Sequence, residues 1–99
     1  MPKVFVTNDV SQADIKVYNS DNQFDADLLI NRVGENDVWY EWQWYFADSD
    51  YGLGIKKIYW VDNSSAADLV IYDCTGQSLT PGWQSNKIYN HPLYGKLQN

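Results

Sequence analysis

Residues 3–30 read KVFVTNDVSQADIKVYNSDNQFDADLLI and residues 56–73 read KKIYWVDNSSAADLVIYD. Within each stretch the same unit recurs: Val4-Phe5 and Val17-Tyr18 lie thirteen apart, as do Ile58-Tyr59 and Ile71-Tyr72. Most such pairs lead into a polar turn, and the turn into a small residue, an acid and an apolar residue. Ala13-Asp14-Ile15, Ala26-Asp27-Leu28 and Ala67-Asp68-Leu69 are the three copies of that step. Tyr45-Phe46 provides a further start thirteen before Ile58, with Gly54-Ile55 in place of the acid step. Ile30 and Ile88-Tyr89 complete seven starts, at longer spacings of fifteen (30 to 45) and seventeen (71 to 88) where insertions would sit. A fixed period of this size marks a repeat architecture.

Within a unit, Val4, Val6 and Ile15, Val17 alternate with other side chains, and β-branched and aromatic residues dominate, which is the period of strands. Asn8-Asp9, Asp21-Asn22, Asp48-Ser49-Asp50 and Asp62-Asn63-Ser64 suit turns, because their short side chains bond nearby backbone amides. Turn formers recur too often for a helix longer than a single turn. The expected fold is all-β: one compact domain spanning residues 1–99, built of about a dozen short antiparallel strands from a degenerate 13-residue repeat. Ninety-nine residues, 44% of them hydrophobic, suffice for one core.

Thirteen acids against seven basic residues give a net charge of -6. The resulting field repels phosphate backbones and anionic lipid surfaces, so nucleic acid and membrane are poor partners. No apolar run reaches the length of a membrane span and the first eleven residues do not read as an export signal, so the expected location is the cytoplasm. The single cysteine, Cys74, forms no internal disulfide.

The recurrent pattern in 3–30 and 56–73, hydrophobic, aromatic, polar turn and Ala-Asp-hydrophobic, resembles that of a small bacterial family of unknown function whose short repeats form a seven-crossing torus knot, the septoil knot. The resemblance covers most of residues 3–90. It implies a deeply knotted chain, and it brings no activity and no functional residue. The third and sixth units depart from the pattern, at Asn31-Arg32-Val33 and at Thr80-Pro81-Gly82-Trp83.

The richest segment chemically is Val38-Trp39-Tyr40-Glu41-Trp42-Gln43-Trp44-Tyr45-Phe46. As a strand it would place Tyr40, Trp42, Trp44 and Phe46 on one face and Trp39, Glu41, Gln43 and Tyr45 on the other. One aromatic face would build core; the other could carry a sugar or peptide against flat rings. Trp39, Trp42, Trp44 and Trp83 are the candidate ligand-binding residues. The acids of the Ala-Asp steps read as hydrogen-bonding positions at turns and strand starts. Asp48-Ser49-Asp50-Tyr51-Gly52 begins like a calcium loop, but its Gly comes too early and Tyr59 stands where the closing Glu belongs.

Cys74 and His91 are the only nucleophile and base of their kind, and they read as a buried inert thiol and a solvated imidazole near a mobile end. No cofactor or metal is implied, since one Cys and one His are too few soft ligands. The expected function is non-enzymatic surface binding by a monomer or weak homodimer, with a protein or glycan ligand. A carbohydrate- or peptide-binding module with an aromatic face is the alternative, and a hydrolase built on two converging acids comes third.

Overall fold

The computed structural model describes residues 2–52, 54–84 and 91–97. Among the described residues there are seven strands: β1 (Lys3–Val6), β2 (Ile15–Asn19), β3 (Leu28–Arg32), β4 (Gln43–Phe46), β5 (Ile55–Trp60), β6 (Leu69–Asp73) and the short β7 (Gly82–Trp83). Helical structure among the described residues is confined to single 3-10 turns at Val10–Gln12, Gln23–Asp25, Glu35–Asp37 and Ser64–Ala66. Three of these are capped as their sequences dictate. Asp9 accepts from the Ser11 N–H, Asn22 from that of Phe24 and Asn63 from that of Ala66. Short polar side chains at the N-cap satisfy amides that have no partner within the turn.

Strands β1 to β6 are all parallel and close into a barrel in the order β4-β1-β5-β2-β6-β3, with β3 pairing back onto β4. Only β7 runs antiparallel, against Leu28 and Leu29 of β3. The expectation of a dozen antiparallel strands is therefore corrected. The polar turns look like hairpin turns, yet the eight-residue connections 7–14, 20–27, 47–54 and 61–68 each carry the chain past one intervening strand to a parallel position. Only the ten-residue connection 33–42 leads to an adjacent strand. A parallel crossover normally takes a dozen or more residues. Here the strands shift partner along their length: β5 pairs with β1 through Ile55 to Ile58 and with β2 from Ile58 to Trp60. That stagger is the strand tilt that closes so small a barrel.

Each barrel strand contributes a fully buried side chain at the equivalent repeat position: Val4, Val17, Ile30, Trp44, Ile58 and Ile71. Ile15, Leu28, Leu69 and, from the C-terminal segment, Leu97 fill in around them. The carbonyls of the same six residues form a closed ring of hydrogen bonds with the residue three positions beyond the core residue on a neighbouring strand. Thr7 donates to Ile58 (2.9 Å), Val61 to Val17 (3.0 Å), Ser20 to Ile71 (2.8 Å), Cys74 to Ile30 (2.9 Å), Val33 to Trp44 (3.0 Å) and Ala47 to Val4 (2.7 Å). This ring fixes the repeat register. Trp44, not Tyr45, occupies the position of Val4 and Val17, so the steps around it are fourteen and fourteen. The seventh start, Ile88-Tyr89, lies outside the described residues.

A recurrent clamp pins the crossings. Asp14 N–H donates to Lys57 O (2.7 Å) while Lys57 N–H donates to Asp14 Oδ2 (2.9 Å). Asp27 holds Val70 in the same way (2.8 and 3.0 Å), and Asp68 holds Lys16 (2.8 and 2.9 Å). In each case the connection just before a strand takes both backbone groups of the strand it crosses. The acid of the Ala-Asp step is thus a backbone-pairing residue, as the sequence suggested. A smaller cluster of Ala26, Leu29, Val70 and Cys74 packs on the outside of the barrel.

Candidate functional site

Only the last four residues of 38–46 are strand. The expected continuous strand is interrupted because Gln43 turns back on the chain: its Oε1 accepts the N–H groups of Trp39 (2.8 Å) and Tyr40 (3.1 Å), and its own N–H donates to Tyr40 O (3.0 Å). The turn places Tyr40 and Trp42 ring on ring, with centroids 4.6 Å apart and planes within 2°. Trp39 is 66% exposed and Tyr40 is 52% exposed. Trp42 is half-buried and rests on the core. Tyr40 and Trp42 form an aromatic ledge resting on the core, extended along the chain by the exposed Trp39, whose backbone N–H is held by Gln43. The exposed turn Glu35–Asp37 precedes it in sequence.

The other two candidate tryptophans sit elsewhere. Trp44 is 0% exposed, with its indole N–H on Glu41 O (2.9 Å), so it is core and available to no ligand. Trp83 is half-buried among His91 and Tyr94, and its indole N–H donates to Glu41 Oε1 (3.0 Å). The four were not brought onto one surface; two of them, Trp39 and Trp42, share the ledge with Tyr40.

Glu41 is the residue whose role the sequence reading missed. Its carboxylate is buried and accepts three donors: Trp83 Nε1 (3.0 Å), Gly95 N–H (3.0 Å) and Leu97 N–H (2.9 Å). It stands three residues before Trp44, as Asp14, Asp27 and Asp68 stand three before Val17, Ile30 and Ile71. Glu41 is therefore the repeat acid of the one unit whose connection crosses no strand. With Tyr45 taken as the start of that unit, this equivalence is off by one and invisible.

The expectation of a solvated His91 at a mobile end is corrected. Its side chain is 9% exposed, Nδ1 accepts the Leu93 N–H (3.0 Å), and Nε2 lies 3.2 Å from Asp27 Oδ2. A cap on the local turn and the Trp83 ring together explain the burial. Cys74 is buried against Ile30 O (3.3 Å), and burial, with Asp73 adding to it, pushes its thiol above the ordinary value. Cys74 and His91 are thus each committed to different partners. Among the described residues no group of His, Cys, Asp and Glu is placed to hold a metal ion, and Asp50 instead pairs with Lys57 Nζ at 3.5 Å.

No curated protein and no solved structure gives a significant match to the chain. The family model described as the 7(1) septoil knot domain matches residues 1–84. With the repeat, the interleaved parallel strands and this match together, the chain belongs to the septoil knot domain family.

Proposed function

We propose that this is a non-enzymatic binding protein that engages an extended saccharide chain through the ledge of Trp39, Tyr40 and Trp42. The observation that carries this reading is the stack of Tyr40 on Trp42, next in the chain to an exposed Trp39, with the Trp39 and Tyr40 backbone amides held by the Gln43 side chain. Preorganised rings lose little freedom on binding. No cavity opens among the described residues, so a ligand lying along a surface fits better than a small molecule enclosed in a pocket. Glu35, Asn36 and Asp37 are exposed on the adjoining turn and offer acceptors and an amide for hydroxyl groups. The two buried acids, Asp27 and Glu41, are both engaged with backbone amides, which favours binding over acid–base chemistry. Affinity electrophoresis in gels carrying soluble polysaccharides tests the reading. Retardation lost in Trp39→Ala supports it; retention by an immobilised peptide library alone would replace the glycan with a peptide.

We infer in addition that the chain is knotted and that it works in the bacterial cytoplasm as a monomer or weak dimer. The first lap lays β1, β2 and β3 at alternate places and the second lap fills the gaps between them. The turn Gln23–Asp25 packs over β6, while Ser64–Ala66 packs over β2, so each lap passes outside a strand of the other. Reciprocal passes of this kind, with the family match, support the seven-crossing topology.

A further inference from the structure

We propose that residues 91–97 form a strap whose seating on Glu41 sets the aromatic ledge, so that strap closure and ligand binding are linked. The ligand arm of this inference rests on the ledge being the binding surface; the structural arm does not. Three observations carry it.

First, Glu41 occupies the repeat position that elsewhere grips a crossed strand, and in its unit there is no crossed strand to grip. The strap supplies the missing partner: Gly95 and Leu97 donate to the two carboxylate oxygens, in place of the single clamped residue.

Second, the strap enters the barrel. Leu97 is 1% exposed within the same cluster as Val4, Val17 and Ile71. At its other end His91 rests on Trp83 and Asp27, and Trp83 donates to Glu41 as well. The strap is therefore tied to the Glu41 carboxylate directly at its Leu97 end and through Trp83 at its His91 end.

Third, Glu41 lies between Tyr40 and Trp42 in the chain, and its carbonyl takes the Trp44 indole N–H. The Glu41 side chain cannot leave the strap without freedom passing to the backbone on which the stacked rings stand. A buried carboxylate deprived of its donors is costly and must move toward water. Glu41 is in this sense a positioning residue, not a ligand contact. By linkage, a ligand that needs the ordered ledge favours the seated strap, and a seated strap strengthens ligand binding by the same factor.

The test uses the full chain and two variants, Glu41→Gln and Leu97→Ala, with amide hydrogen exchange as the readout. In both, the Gly95 and Leu97 amides are expected to exchange at least tenfold faster, and those of Trp39 and Tyr40 severalfold faster. The ring amides of Ser20 and Cys74 should keep their protection, which shows that the barrel is intact. Unchanged exchange at Trp39 and Tyr40 in both variants, with the strap amides accelerated, overturns the coupling. A titration with a β-1,4-linked glucose hexamer forms the second arm. Weaker binding by both variants supports the link. Wild-type binding retained undiminished in both overturns it while leaving the ledge reading intact. Accelerated exchange at Trp39 and Tyr40 with no hexamer binding in wild type upholds the coupling and counts against the saccharide reading.

Discussion

Asp27 holds both backbone groups of Val70, forty-three residues away: its own N–H donates to the Val70 carbonyl at 2.8 Å and its Oδ2 accepts the Val70 N–H at 3.0 Å. The same two-point hold joins Asp14 to Lys57 and Asp68 to Lys16. In a barrel of short parallel strands, whose crossing connections have only eight residues, these acids extend the ladder by one residue at the crossing.

Removing such an acid strands a backbone N–H, and the cost scales with burial. Asp27→Ala is expected to lose about 2–3 kcal/mol, because Val70 N–H is buried there and His91 loses its partner too. Asp14→Ala, at an exposed position, should lose about 1 kcal/mol. Urea unfolding of the two variants, compared at equal m-values, checks the order.

The aromatic residues divide into core and surface. Trp44→Ala should destabilise the barrel by about 3–5 kcal/mol, or prevent folding, since it empties the centre of the core. Trp39→Ala, at a position 66% exposed, should cost clearly less than Trp44→Ala when the two are compared by thermal unfolding.

The Cys74 thiol titrates above its ordinary value of 9.0 because it is buried. The folded state therefore holds the proton more tightly than the unfolded state. The stabilisation is complete below the unfolded pKa and is lost as pH rises through the folded one. Stability should fall above about pH 9 in wild type, and less steeply in Cys74→Ala. Alkylation by iodoacetamide at neutral pH should be slow in the native protein and rapid in urea.

Nearly every ladder joins residues distant in sequence, such as Lys3 with Ile55 and Val17 with Leu69. Loop closure must precede those contacts, so refolding from full denaturation should take seconds or longer. Single-exponential refolding within milliseconds, followed by tryptophan emission, would argue against a threaded chain.

Much of this arrangement was written locally. The caps at Asp9, Asn22 and Asn63, the single-turn 3-10 segments and the core positions Val4, Val17, Ile30, Ile58 and Ile71 all follow from a thirteen-residue pattern. The direction of pairing did not. An Asp- and Asn-rich turn has the same composition whether the chain folds back beside its own strand or steps over another, and the choice rests on contacts more than forty residues apart. The aromatic segment misled for a related reason. Alternation alone predicts a strand through Val38 to Phe46, whereas one side chain, Gln43, caps two amides and breaks it after Trp42. Glu41 was legible in principle, at the acid's place in the repeat, once Trp44 rather than Tyr45 is taken as the core residue.

The most direct measurement of the central claim is a titration of wild-type protein and Trp39→Ala with the β-1,4-linked glucose hexamer, followed by tryptophan emission and acrylamide quenching. Saturable binding that protects an accessible tryptophan fraction in wild type, and falls at least tenfold in Trp39→Ala, is the expected result. Equal responses from the two proteins, or no change in quenching at any hexamer concentration, would contradict a saccharide site on the ledge of Trp39, Tyr40 and Trp42.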